Sequence, residues 1–586
     1  MLSHLQTLYH HVYNTNYLPT NEEENEIRAI LRDPEKEIQM IDHEISALRA
    51  RRDELQHAVE PLRILLSPCR KLPDEILSEI FAQCLPEGPP SPSTKEAPLL
   101  LTLICHNWRE TALRDPRIWS ALCITIPKPK NVTNSGHGDT EEWLRPQMEG
   151  VMLWLERSGS LPLNLALKPA GDSWAILDFY QRSSGVVGFQ DPYLEFMQML
   201  ANQSPRWKHL SLSHLPPPIF EPFRTLGVTD LPLLETVVET ASLQEVVPTG
   251  HLDVFASNSP ITSILQRSPA LHTLRTELIQ GSDLSRIFLP LSQLTTLQVG
   301  FLDSVDGFDI LRQLSMLCSS LLACTLEFSL QRRTEDLIPT SRSAMEWTHL
   351  QELCIRFSGK GDQNSYREEI RRTFEAISTP SLNRLKITTP YQCLADDTNY
   401  HATLESVPPF HDLIQRSHCQ LLSLDINTIL GPKFYETLQI LPNLTSLTVR
   451  RLTRISTTYS STPELNPEET VQLNAIIQGL IPSQGHVTCP KLQHIRIGDL
   501  FVAEAASFLG LLSARAQLVS NLRTFTATFG ELTKPGIEEL VSVQQEARST
   551  KLAVLIRLEY LTEIPSRCRD CSRTYSRDDR MAVLTT

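Results

Sequence analysis

Apolar residues recur through much of the chain as apolar-x-x-apolar-x-apolar, most clearly from Leu294, Leu350, Leu382, Leu421, Leu444 and Leu492. In the copy from Leu382, for instance, Leu382, Leu385 and Ile387 hold the three apolar places. Less regular copies start at Trp207, Leu234, Leu271, Ala323, Leu522 and Leu552. The alternation over the last three places predicts a short strand with one buried face. Proline stands two residues before the start in six copies, as Pro205, Pro232, Pro269, Pro380, Pro442 and Pro490. There it ends the preceding segment and biases the chain toward an extended entry. Between strands, Tyr366–Ile377 and Glu468–Leu480 carry apolar residues at helical spacing. One strand and one helix per roughly 30 residues predicts an α/β array of parallel strands, because returning crossovers of similar length keep the strand direction. Leu163, Leu165 and Leu167, after a helix at Glu141–Arg157, are expected to form the strand that opens it.

Nearer the N-terminus the period changes. Asp33-Pro34 is a helix-start signal, and beyond it Ile38, Ile41, Ile45, Leu48, Arg52, Leu55, Val59 and Leu62 alternate at spacings of three and four. This seam, polar only at Arg52, fits either a helix packed on its own protein or one packed on a partner or second copy. Next, Pro73 opens a helix whose Ile76, Leu77, Ile80, Phe81 and Cys84 form one apolar face. The four prolines of Leu85–Pro92 end it, and a second helical segment, roughly Leu99–Leu113, is expected to turn Leu100, Leu101, Ile104, Trp108 and Ala112 inward.

At "LPDEILSEIFAQC" and "ICHNWRETALRDPRIWSALCI" the sequence resembles the F-box, in the F-box-like form of fungal proteins. The matching positions are Leu72, Pro73, Ile76, Leu77, Ile80 and Phe81, then Cys105, Trp108, Arg109, Ala112, Pro116 and Trp119. The loop Leu85–Pro98 is longer than in the compact F-box and is expected to bulge outward. The later repeats read as a leucine-rich-repeat solenoid with helices on the convex side. The asparagine or cysteine expected three residues after the third apolar place is missing, since Leu302, Ser358 and Ile429 stand there, so the solenoid is expected to be irregular.

These readings divide the chain into an N-terminal segment 1–33, possibly flexible, a heptad helix 34–62 and an F-box-like domain 66–126 with its proline-rich loop 85–98. A connector 127–205, a solenoid 206–565 and a polar tail 566–586 follow. Among 586 residues, 54 Lys plus Arg stand against 68 Asp plus Glu, a net charge of −14, which disfavours nucleic acid and anionic membranes as partners and points to protein. No basic-then-apolar leader and no run of about 18 apolar residues occurs, so an intracellular protein of cytoplasm or nucleus is expected. The 12 scattered cysteines suit reduced thiols. Asn131-Val132-Thr133, Asn202-Gln203-Ser204 and Asn443-Leu444-Thr445 are then chance matches to the glycosylation triplet.

Chemistry is sparse. Gly359-Lys360-Gly361 lacks the spacing of a phosphate loop, and Gly185-Val186-Val187-Gly188 lacks the third glycine of a dinucleotide turn. His43-Glu44 has no second histidine in place, and Cys568-Arg569-Asp570-Cys571 supplies two thiolates where a closed zinc site needs four ligands. No metal, cofactor or catalytic residue is expected.

The resemblance implies the substrate-recognition subunit of an SCF-type ubiquitin ligase, itself non-catalytic. Leu72, Pro73, Ile76, Leu77 and Ile80, supported by Trp108 and Trp119, would hold a Skp-type adaptor and, through it, cullin and RING subunits. The solenoid would bind the target. The alternative is an F-box and solenoid scaffold that recruits no cullin. The strand positions that flank the apolar places and point away from the core carry Arg356, Arg384, Lys386, Arg450 and Arg496, interrupted by Asp425, a cluster suited to an acidic or phosphorylated peptide if it is more than a set of solubilising charges.

Overall fold

Thr20 and Glu23 set the start of the first helix in the computed structural model, which describes residues 15–66, 68–127, 138–170, 191–213, 215, 217–240, 260–276, 291–329, 345–358, 371, 373–388, 410–427, 434–450, 480, 487–500, 515, 521–531, 555–561 and 581–585. The Thr20 amide donates to the Glu23 carboxylate at 2.8 Å, and the Glu23 amide donates to Thr20 Oγ1 at 3.4 Å. These reciprocal bonds satisfy amides that a helix start leaves open. Helix α1 then runs from Asn21 to Leu65, with Pro34 and Pro61 inside it. The start expected at Asp33-Pro34 is therefore corrected, as is the separate N-terminal segment over residues 21–33. An internal proline costs about 3 kcal/mol, and the capping box and the following turns outweigh it here.

The chain divides into two compact units, Met1–Gln83 and Cys84–Thr586. In the first, every residue from Glu35 to Arg63 of α1 is exposed, Ile38 by 57% and Leu62 by 60%. Among the described residues the heptad stripe is left exposed. Helix α2, Asp74–Gln83, follows.

The second unit contains helix α3, His106–Arg114, and a sheet of fifteen strands among the described residues, arranged in unbroken chain order. The strands are β1 Ala121–Ile126, β2 Leu163–Pro169, β3 Trp207–Ser213, β4 Thr236–Thr240, β5 Thr273–Thr276, β6 Thr296–Asp303, β7 Ala323–Ser329, β8 Glu352–Ser358, β9 Arg384–Thr388, β10 Ser423–Asn427, β11 Ser446–Arg450, β12 His494–Leu500, β13 Thr524–Glu531, β14 Leu555–Leu561 and β15 Met581–Thr585. Every neighbouring pair is parallel except β14 with β15. A pair of two-residue strands, Met345–Glu346 and Ile377–Ser378, forms a separate ladder. Crossover helices include α4 Gly138–Arg157, which covers the expected Glu141–Arg157, then α5 Asp191–Ala201, α6 Pro260–Gln266, α7 Ser304–Leu317, α8 Phe410–Ser417 and α9 Phe434–Gln439.

The repeat spacing places the strands well, with four corrections. The copy assigned to Leu552 starts one residue later, at 553, since Ile556 and Leu558 stand opposite Phe525 and Ala527. The sheet opens at β1, where Leu122, Ile124 and Ile126 are buried, and not at Leu163. The copy assigned to Ala323 starts at Leu321, because buried Cys324 fills the second apolar place opposite Leu297 and Leu353. The polar tail contains β15, whose Met-Ala-Val-Leu-Thr sequence suits a strand.

The loop Leu85–Pro98 does not simply bulge outward. Pro90, Ala97 and Pro98 are buried, and the Pro90 carbonyl accepts from the Cys123 amide at 2.8 Å. Strand β1 lies at the sheet edge, where open amides need acceptors.

Two backbone devices repeat along the sheet. First, the carbonyl before each of β4 to β12 receives two consecutive amides of the next unit: Gln351 O accepts from Asn383 and Arg384, and Asn383 O accepts from Leu422 and Ser423. This backbone ladder regularises the stack where the asparagine ladder is absent. Second, the prolines before the starts occupy the second place of tight turns. The amides of Leu271, Leu382, Leu444 and Leu492 donate to Ser268, Thr379, Leu441 and Cys489 three residues back. Proline's fixed φ suits that place, and its missing amide leaves no donor unpaired there.

The segment Tyr366–Ile377 is helical at residues 371 and 373–376, and Leu480 is the one described residue of Glu468–Leu480. Gly185–Gly188, Gly359–Gly361, Cys568, Cys571, Asn131–Thr133, the Leu302 and Ser358 side chains and Ile429 lie outside the described residues.

Candidate protein-docking site

Helix α2 starts at Pro73, whose carbonyl accepts from the amides of Ile76 and Leu77 at 3.1 Å each. Asp74 and Glu75 in its first turn complement the positive end of the helix dipole. The helical period then splits the apolar residues into two sets. Leu77 and Phe81, four apart, are fully buried, whereas Ile76 is 48% and Ile80 39% exposed. Pro73 is exposed and Leu72 half-buried. Of the expected adaptor-binding residues in this unit, Pro73, Ile76 and Ile80 therefore share an open face. Leu77 is a core residue, since its neighbour Ile76 is rotated about 100° around the helix.

In the second unit, Trp119 ends a short 3₁₀ turn, Pro116–Trp119, that Asp115 caps by accepting from the Arg117 amide at 3.0 Å. Trp119 is fully buried and its Nε1 donates to the Ala112 carbonyl at 2.7 Å. Its ring meets Trp154 edge-on with centroids 4.9 Å apart, and the Arg157 guanidinium lies 4.7 Å from its centroid. These contacts make Trp119 part of the core, and its burial keeps it off the surface. The expected segment Leu99–Leu113 divides into a 3₁₀ turn, Leu100–Leu103, and α3. Leu101 and Ala112 are buried and Trp108 half-buried, but Leu100 and Ile104, expected inward, are 39% and 54% exposed, because extended Cys105 breaks the helical period between them and α3.

The basic residues expected to meet a target lie on strands whose alternate residues fill the core. On the other face, Glu352, Arg384 and Ser423 stand in one row across β8, β9 and β10. Cys354, Lys386, Asp425, Thr448 and Arg496 stand in the next, across β8 to β12. Arg384 pairs with Glu352 at 2.7 Å, and Lys386 pairs with Asp425 at 3.4 Å. Arg356 is exposed opposite Thr388, and Arg450 lies opposite Gly498 with its side chain outside the described residues. The stripe is therefore mixed in charge. Glu352 went unnoticed in the sequence, although it sits two residues after Leu350 as Arg384 does after Leu382. Exposed pairs of this kind contribute about 0–1 kcal/mol and exchange partners readily.

Burial raises the thiols of Cys318 and Cys489 to about 12 and that of Cys419 to about 11, and pushes Cys324 well up, so these four stay protonated and inert. Cys69, Cys84 and Cys105 are exposed. Among the described residues no group of three or more His, Cys, Asp or Glu side chains is placed to hold a metal, and no helix is long and apolar enough to cross a membrane. No protein-family model matches this chain, and no curated protein matches it.

Proposed function

We propose that this chain is a non-catalytic substrate receptor of an SCF-type ubiquitin ligase. An F-box-like module docks a Skp-type adaptor, and an irregular leucine-rich-repeat solenoid presents the target. The observation that carries the reading is the division of α2: the motif that resembles an F-box supplies both a buried pair, Leu77 and Phe81, and an exposed face of Pro73, Ile76 and Ile80. Exposed aliphatic side chains on a short helix offer a partner about 1.5–3 kcal/mol each on full burial. The sheet supports the solenoid half of the reading, because consecutive parallel strands in unbroken order are what stacked repeat units produce. Its face of alternating charge offers a target with alternating charge of its own a complementary surface around Arg384, Lys386 and Arg496. Ubiquitin transfer then depends on proximity: holding a target beside a charged conjugating enzyme raises the effective concentration of its lysines.

The test is co-purification of adaptor and cullin with the full chain, parent against Ile76→Asp with Ile80→Asp. The parent is expected to retain both, and the double variant to lose at least about tenfold in adaptor affinity while its circular dichroism is unchanged. Adaptor without cullin would replace the reading with that of a scaffold, and equal adaptor binding by a folded variant would remove the F-box assignment.

A further inference from the structure

Helix α1 presents an uncovered apolar stripe in which β-branched Ile38, Ile45 and Val59 alternate with Leu48, Leu55 and Leu62 at a mean spacing of 3.5 residues. That period, shorter than the 3.6 of a straight helix, keeps a seam facing another helix as the two supercoil. A fully solvated helix would leave the whole stripe in water, so the pattern calls for a helical partner. The charges flanking the seam identify which one. Asp42 and Glu44 lie beside one turn of the seam, Arg49 and Arg51 beside the next.

We infer that two copies of this chain pair through α1 as an antiparallel coiled coil, with Ile45 of one copy opposite Leu48 of the other. In this register the seam positions from Ile38 to Leu55 meet one another, while Val59 and Leu62 meet Pro34 and Leu31 of the other copy one and two turns before the seam, over a length of about 48 Å. Asp42 then faces Arg49 of the second copy, Glu44 faces Arg51, and the two-fold axis repeats both pairs. Arg52 meets Ile41 with its guanidinium free to reach outward, as a single polar seam residue that fixes register does. The parallel alternative is poorer: it gains Glu44 against Arg49 twice, but it sets Glu37 against Asp42 of the second copy twice and Arg52 against itself, and it leaves Arg51 facing Gln56. Arg51 holds Glu54 at 2.6 Å and Arg52 holds Asp53 at 2.6 Å within one chain, but both pairs are solvent-exposed and cost little to exchange.

Light scattering on the full chain across a concentration series is the measurement. The parent is expected at twice the chain mass. Leu48→Asp should shift it to the chain mass with the near-ultraviolet tryptophan signal retained, since no tryptophan lies in α1. Asp42→Arg sets like charges against Arg49 twice and is expected to weaken the dimer about tenfold. A parent that stays monomeric at the highest concentration, or a Leu48→Asp variant that still dimerises, would overturn the inference. Tighter association of Asp42→Arg would overturn the antiparallel arrangement, because in the parallel pairing that change relieves the clash with Glu37.

Discussion

Thr276 donates its hydroxyl to the Glu239 carboxylate across 3.3 Å, and the two face each other on β5 and β4 in a core row otherwise filled by residues such as Leu212 and Val299. Both are buried, so the pair places polar groups where the repeat calls for apolar ones. Thr276→Val takes a donor from a buried carboxylate and is expected to cost about 1–3 kcal/mol in urea unfolding. Adding Glu239→Leu should return stability to the parent value or above it, because a well-packed apolar pair needs no desolvation of charge. A double variant no more stable than the single would show that Glu239 does not depend on Thr276.

Core and surface around Leu72–Trp119 separate by mutation. Trp119→Ala removes a buried ring, its bond to Ala112 and its contacts with Trp154 and Arg157, and is expected to destabilise by about 3–5 kcal/mol. Ile80→Ala, at an exposed position, should stay within about 0.5 kcal/mol of the parent. Thermal unfolding of the two variants checks the contrast.

Arg515 is nearly inaccessible to solvent, and its guanidinium donates to the carbonyls of Leu480, Thr488 and Cys489 at 2.8, 2.8 and 2.5 Å. Arg515→Met leaves these buried acceptors short of donors and is expected to cost at least about 3 kcal/mol. Arg515→Lys should recover only part, because an ammonium cannot span three carbonyls as a planar fork does. Hydrogen exchange at the Leu492 amide, in the turn this residue braces, gives a local reading.

Buried thiols make the fold sensitive to alkali. Burial holds Cys318 and Cys489 at about 12 and Cys419 at about 11, against 9.0 for an ordinary thiol. The native state thus keeps protons that the unfolded chain releases above pH 9, so stability is expected to fall as pH rises from 9 toward 12 and to be unaffected by these groups below 9. Replacing Cys318 and Cys489 by Ala should flatten that decline. In the native protein at pH 8, a thiol reagent is expected to modify Cys69, Cys84 and Cys105 and to spare buried Cys123, Cys318, Cys324, Cys419 and Cys489.

Strand positions were legible because burial on a strand alternates every second residue, and Leu385, Ile387, Leu424 and Ile426 announce that alternation without reference to any neighbour. The proline turns were legible for a similar reason, since a fixed φ acts within a few residues. The capping box at Thr20 and Glu23 is equally local, but Asp33-Pro34 carries the same kind of start signal inside the helix, and only the hydrogen bonds distinguish the two. Strand β1 escaped because the motif resembling an F-box runs into it.

By itself, then, the sequence determined the strand places, the proline turns between them, the helical segments at Asp74 and Gly138 and the heptad seam, all of which depend on neighbours within about one turn or one strand. Tertiary structure alone decided that Leu77 goes inside while Ile76 stays out, that Arg384 and Lys386 meet Glu352 and Asp425, and that the Leu85–Pro98 loop feeds a carbonyl to the edge of β1. Each of these is set by which groups meet across tens of residues of chain. Register and packing fix such meetings, and neither is expressed in the spacing of residues along one segment.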